Sequence, residues 1–173
     1  MAWCLEASNG VSGLGRIGRE VVKADLNEVL RDLLQAYADE WLAHYQYWIA
    51  AQWIRGIDAD TLRPILLRQS MDELKHAEKL AQRIIQLGGE PLLDFALLLK
   101  TSRCGYIAPP KDPTDIKKVI EDVLKSEACA IRFYNEMVEK YRDTDYVTHE
   151  IFEELLVDEV EDEEEWEKLY SKL

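Results

Sequence analysis

Residues 66–80 read Leu66-Leu67-Arg68-Gln69-Ser70-Met71-Asp72-Glu73-Leu74-Lys75-His76-Ala77-Glu78-Lys79-Leu80. Within and around them, Leu62, Leu66, Gln69, Glu73, His76, Leu80, Ile84 and Leu87 recur at steps of three and four. Such steps put side chains on one face of an α-helix. The face is apolar at both ends and polar at its middle, where Glu73 and His76 stand as i,i+3 neighbours. A buried stripe broken at its centre by a carboxylate and an imidazole needs an explanation, and the rest of the chain repeats the pattern.

Before this helix, Asp25 and Glu28 form an acidic capping box that opens an earlier one. Its stripe runs Leu26, Val29, Leu33, Tyr37, Glu40, His44, Tyr47 and Ala51, and Gly56 stops it. The second helix starts near Asp60 and Thr61, takes Pro64 in its first turn and ends at Gly88-Gly89. A short apolar helix, about Leu92 to Lys100, is followed by a loop with Gly105, Pro109, Pro110 and Pro113. The third long helix begins around Thr114, with the stripe Ile116, Ile120, Val123, Glu127, Ile131, Tyr134, Val138 and Tyr141. After a polar break at Asp143 to Asp145 comes the fourth, with Phe152, Leu155, Glu159, Asp162, Trp166 and Leu169. The fold expected is all-α: a four-helix bundle whose second and third helices are joined by a long crossover carrying a short helix. Residues 1–24, broken by Gly10, Gly13, Gly15 and Gly18, are expected to be irregular, and residues 25–173 to form the bundle domain.

At 173 residues the chain suits one domain with a core that needs no disulfide staples. No apolar run approaches a membrane span, and Met1 to Gly15 does not resemble a secretory signal. A cytoplasmic location is therefore expected. The formal net charge is −13. From Glu150 to Glu167 there are eleven acidic residues and no lysine or arginine. This run is either a solvated helix face or a cation-collecting surface. Both readings count against a nucleic-acid partner, because phosphate binding needs clustered basic residues. An odd number of cysteines, Cys4, Cys104 and Cys129, argues against a structural disulfide framework.

Each long stripe is broken at mid-helix by a carboxylate: Glu40, Glu73 with His76, Glu127, and Glu159 with Asp162. Glu40 and Glu73 are 33 residues apart, Glu127 and Glu159 are 32 apart, and Tyr47 and Tyr134 each follow the first glutamate of their half by seven. Unpaired buried charges cost several kcal/mol each, and no basic residue lies on the stripes at that level. Two divalent cations would neutralise most of the charge. The paired motifs assign Glu73 and Glu159 as bridging ligands, Glu40 and His76 as terminal ligands to one metal, and Glu127 and Asp162 to the other. Oxygen donors with imidazole and open positions suit Fe or Mn better than structural Zn. For His44 the alternatives are a hydrogen-bonded bundle histidine, a residue supporting a ligand, or a substitute ligand. His149 is expected at the surface, and Trp41, Tyr45, Trp48 and Trp53 as packing or interface residues.

The pattern resembles the ferritin-like superfamily of di-iron carboxylate proteins. Asp72-Glu73-Leu74-Lys75-His76-Ala77 looks like the bacterioferritin second-helix motif, and Tyr47 matches that family's ferroxidase tyrosine. A haem-ligating methionine would stand where this chain has Leu74, so no haem is expected. Cys104 before the third helix and Cys129 two residues after Glu127 resemble the cysteine pair of the Dps-like group called thioferritins. The resemblance covers roughly residues 25–170. It implies a cytoplasmic ferroxidase that oxidises Fe(II) with hydrogen peroxide or dioxygen, with two irons per subunit (Mn or Zn as substitutes). It further implies storage of ferric iron in a homo-dodecameric cage as protection against oxidative stress. It also implies catalytic roles for Tyr47, Cys104 and Cys129, the cysteines as a redox-capable pair. The absence of a fifth helix agrees with the smaller Dps-type shell. The chain departs from the family at Asp162, where the second paired motif has histidine. The alternative class is a non-storing di-metal oxidoreductase, such as a rubrerythrin-like peroxidase or an oxygenase. Such proteins usually add Cys-x-x-Cys iron modules, which this sequence does not contain. A third reading, a structural or DNA-compacting shell with a decayed site, conflicts with the acidic charge.

Overall fold

The computed structural model describes residues 15–173. Cys4, for which no role was expected, lies outside the described residues. The helices are α1 (Arg16–Glu20), α2 (Leu26–Trp53), α3 (Ala59–Gln86), α4 (Phe95–Thr101), α5 (Ile116–Tyr141) and α6 (Tyr146–Tyr170), and no strand occurs among the described residues. The four long helices match the four stripes. Within the segment expected to be irregular, Arg16–Glu20 forms one short helix. No described helix is long and apolar enough to cross a membrane.

Local signals set most helix ends. The Asp25 carboxylate accepts from Asn27 N at 2.8 Å and starts α2. The expected capping box is only half formed: the Glu28 carboxylate faces Lys140 and Arg31, at 2.7 and 3.4 Å. Asp145 caps α6 through Thr148 N. Its carboxylate is also held bidentately by buried Arg83 of α3, both contacts at 2.8 Å. Helix α3 begins at Ala59, one residue earlier than expected, so Pro64 sits just past its first turn. Past the end of α3, Gly88 takes a φ of 84°. A Cβ on Gly89 would meet Leu30 Cδ2 at 2.5 Å and Ile84 Cγ2 at 3.1 Å, so any side chain there would make both shift where the chain leaves α3 close to α2.

Helix α2 pairs with α3 and α5 with α6, and the two hairpins close against each other through α2 with α5 and α3 with α6. The crossover from α3 to α5 runs along α2. Asp39 accepts from Ser102 and from Cys104 N, Gln46 accepts from Ile107 N, Trp53 donates to Pro110 O, and Pro113 O accepts from Arg55 N. Two apolar cores fill the bundle, beside a smaller cluster of Ala38, Leu42 and Leu98 under the crossover. One holds Val29, Leu33, Leu80, Ile84, Tyr134, Tyr141 and Phe152. The other holds Tyr47, Ala51, Leu62, Leu66, Ile120, Val123 and Trp166. The mid-helix carboxylates occupy the layer between them.

Candidate metal centre

Each long helix delivers its carboxylate to this layer because the residues three, four and seven positions away on the same stripe are buried in the flanking cores. Glu40, Glu127 and Glu159 are 2 % exposed, Glu73 is 3 % and His76 6 % exposed. Among the described residues, no lysine or arginine forms an ion pair with any of the four glutamates.

His76 Nδ1 lies 3.3 Å from Glu40 Oε2, 3.4 Å from Glu73 Oε2 and 3.5 Å from Glu159 Oε1. One ligand atom from each of these four residues falls within 4.8 Å of all the others. Glu40 Oε2, His76 Nδ1 and Glu159 Oε1 are buried and have no partner in hydrogen-bonding geometry. Unpartnered buried polar atoms are rare, and three that face one another form a donor set lacking an acceptor of its lone pairs. A divalent cation fits that set.

The electrostatics agree. Burial pushes Glu73 well above the usual carboxylate range, and Glu40 adds to the shift. Glu127 is raised well above it too, by burial and then by the Glu159 charge, and burial raises Glu40 and Glu159. Burial alone would lower His76, but the Glu159, Glu40 and Glu73 carboxylates facing Nδ1 overcome it and raise the imidazole above its usual range, a proton that a bound cation would displace. The other ring nitrogen, Nε2, is 3.1 Å from Asp158 Oδ2. Asp158 therefore fixes which nitrogen faces the layer.

The second half of the site is built around Glu127. Glu127 is buried in the layer, accepts from Tyr47, and has its pKa raised by burial and by the Glu159 charge beside it. Asp162 is only part-buried and is not one of the four converging ligands. It sits at the rim, beside Gln69 and Arg68. Burial raises its pKa to about 6, with Gln69 opposing the shift. A residue three positions on lies about 60° around the helix from its partner, and an aspartate reaches less far across that gap than an imidazole.

The tyrosines cross between halves. Tyr47 of α2 donates to Glu127 of α5, and Tyr134 of α5 donates to Glu40 of α2. Trp166 lies parallel to Tyr47, with ring centroids 6.3 Å apart, and donates to Gln69 at 2.5 Å. His44 lies outside the four-residue convergence: its Nδ1 is 2.7 Å from Ser70 O and 3.0 Å from Ser70 Oγ, clasping α2 to α3. His149, expected at the surface, has only 14 % of its side chain exposed, and its Nδ1 donates to Val138 O at 2.8 Å. Tyr45, Trp48 and Trp53 are partly exposed, and Tyr45 packs on Trp48 and Tyr106.

Cys104 and Cys129 form a disulfide across a Cα–Cα distance of 5.8 Å. Cys104 also borders a cavity of about 30 Å³ that reaches Asp39, Glu40, Tyr47, Glu127 and Glu159. Sequence reasoning missed Asp158 and Asp39. Asp158 directly precedes Glu159, which could have singled it out. Asp39 directly precedes Glu40, but nothing in its neighbourhood marks it as buried.

The ferritin-like domain family matches residues 26–173. The chain is 28 % identical over 147 residues to the DNA protection during starvation protein of Pyrococcus furiosus, covering 85 % of this chain and 79 % of that one. It is 31 % identical over 133 residues to the bacterioferritin of Brucella melitensis, covering 76 % of each. Among solved structures, the bacterioferritin-related protein of Bacteroides fragilis, described as a dodecameric thioferritin, superposes with a TM-score of 0.84. That pair is 29 % identical, with 91 % of this chain and 92 % of that one covered.

Proposed function

Because the chain belongs to the ferritin-like domain family, we propose that it is a Dps-like ferroxidase that oxidises Fe(II) with hydrogen peroxide and stores the ferric product inside a cage of its own copies. The observation that carries this reading is the set of facing, partnerless atoms Glu40 Oε2, His76 Nδ1 and Glu159 Oε1 in a buried layer without basic residues. Glu40, Glu73, His76 and Glu159 would hold one ion, and Glu127 with Glu159 the other, with Glu73 and Glu159 shared. Asp162 supplies charge at the rim, and a small movement of α6 would let it ligate. Iron supplies the one-electron chemistry. Peroxide accepts two electrons, one from each substrate Fe(II), its O–O bond breaks, and two protons complete two waters.

The protein's own part is positional. Tyr47 and Tyr134 hold Glu127 and Glu40 across the bundle. Asp158 orients His76. The cavity beside Cys104 has room for about two water-sized molecules, enough for a small oxidant. The disulfide forms one of its borders, which supports a redox role for the pair. Assembly into a cage is proposed from the likeness to the dodecameric Bacteroides fragilis protein.

Purified protein given Fe(II) and peroxide should oxidise iron faster than protein-free buffer, and the ferric iron should co-elute with a particle many times the 20.1 kDa chain mass. Oxidation at the protein-free rate would reject the proposal. Fast oxidation by a monomer or dimer that retains no iron would favour the non-storing oxidoreductase instead.

A further inference from the structure

Asp39 stands in the same cavity as the metal layer but does not belong to it. It is 6 % exposed and adjoins Glu40 in α2, yet it lies outside the four-residue convergence. One oxygen, Oδ1, is occupied by Ser102 Oγ and by Cys104 N, the latter at 2.9 Å. The other, Oδ2, is buried and has no partner. Arg103 lends Asp39 part of its charge, but its guanidinium bonds Glu136 at 2.6 Å and lies over the Phe133 ring.

A buried carboxylate oxygen without a donor is costly. An occupant of the cavity, a water or a cation, would supply the missing partner. The lining beside Asp39 includes Glu40 and Glu127, carboxylates that this position would share with the central ions. Hard divalent cations choose such donors, and about 30 Å³ accommodates one ion with a water.

We propose that Asp39 Oδ2 marks a third, weaker cation-binding position, a staging point for a divalent ion on its way from the crossover side of the bundle to the central pair. The position rests on the ferroxidase reading for its purpose, but not for its geometry. It needs only the open oxygen, the cavity and the neighbouring carboxylates. Ser102 and Cys104 keep Asp39 turned toward the cavity by holding Oδ1, so the crossover loop is part of the site.

The test uses Mn(II) as the probe, titrated into the metal-free full chain and followed by calorimetry and by anomalous diffraction from soaked crystals. Wild-type protein should take up two ions in the central layer and a weaker third at Asp39. Asp39→Asn keeps an acceptor for Ser102 and Cys104 N but removes the charge. It should retain the central two and bind the third about tenfold more weakly or not at all. Ser102→Ala removes one of the two bonds that hold Oδ1 but keeps the charge, and should weaken the third ion less than Asp39→Asn does. Wild-type protein that binds only the central pair overturns the inference, and so does a third ion that survives in Asp39→Asn. Absence of the central pair with an ion at Asp39 would instead count against the ferroxidase reading while leaving the staging position standing.

Discussion

Tyr47 and Glu127 lie 80 residues apart in sequence and are joined by a buried hydrogen bond from α2 to α5. Its counterpart, Tyr134 to Glu40, runs the other way between the same helices. Each tyrosine follows one glutamate by seven residues and serves the glutamate of the opposite half. The crossing locks the two hairpins of the bundle in register at the level of the metal layer. Removing one donor should therefore disturb the centre without dismantling the core. Tyr47→Phe keeps the ring beside Trp166 and deletes only the hydroxyl. The expected result is a fall of about 10- to 100-fold in metal affinity or in the initial Fe(II) oxidation rate, with helicity unchanged by circular dichroism. An oxidation rate equal to wild type would show that the bond has no role at the centre.

The metal-free protein should lose stability as pH rises. Glu40, Glu73, Glu127 and Glu159 all have folded pKa values above their unfolded ones, and so does His76. Between the unfolded value and the raised folded value, the native state binds more protons than the unfolded chain, so stability falls with pH. The carboxylates begin to act above about pH 4 and His76 above about pH 6.5. Thermal unfolding without metal should show a lower Tm at pH 8 than at pH 5, and saturating Mn(II) should reverse most of the difference. A metal-free Tm that rises over this range would contradict the assignment.

Substituting one buried carboxylate should separate stability from binding. Glu159→Gln removes a charge that the metal-free protein must bury at a cost. Relief of about 1–4 kcal/mol is expected, and at about 2–4 °C per kcal/mol the metal-free Tm at pH 8 should rise by several degrees. Cation affinity should fall in the same protein. Loss of both stability and affinity would mean that Glu159 is a structural residue.

Asp162→His lengthens the side chain at the rim of the second position. An imidazole there can reach the layer, as His76 does from the equivalent place on α3. The variant should hold a second ion at metal concentrations where wild-type protein holds one, as read by metal analysis after gel filtration. Equal metal content in both proteins would show that Asp162 already ligates or that the second position does not need it.

Arg83 tests the bundle away from the metal. Its guanidinium is buried and grips both Asp145 oxygens at 2.8 Å, with Thr148 Oγ1 at 2.9 Å. Arg83→Met leaves Asp145 as an unpaired buried charge at the α5–α6 turn. Destabilisation of about 3–5 kcal/mol is expected in urea unfolding, with central metal stoichiometry unchanged. A loss below about 1 kcal/mol, the scale of an exposed pair, would show that the pair is effectively solvated.

The helices and the ligand layer were legible in the sequence because both depend on local periodicity. Steps of three and four place Glu40, Glu73, Glu127 and Glu159 on buried stripes whatever their partners are, and the cap at Asp25, the polar break at Asp143 to Asp145 and the glycines after Gln86 are signals read within a few residues. The crossover was legible as a length. Its path along α2 was not, because the residues that fasten it, Asp39, Gln46 and Trp53, bond to atoms about 60 residues away.

By itself, then, the sequence determined four amphipathic rods, each carrying an acid at its middle, and the pairing of those acids into two related halves. Periodicity along one helix defines a face, and a face is enough to predict burial. The tertiary structure alone decided which atoms meet: that Tyr47 serves Glu127 instead of its own helix's Glu40, that Asp158 backs His76, that Asp162 stays at the rim, and that Asp39 keeps one oxygen open to the cavity. Those outcomes depend on the relative rotation and spacing of neighbouring helices and on how far each side chain reaches across the gap, and no single stretch of sequence encodes either.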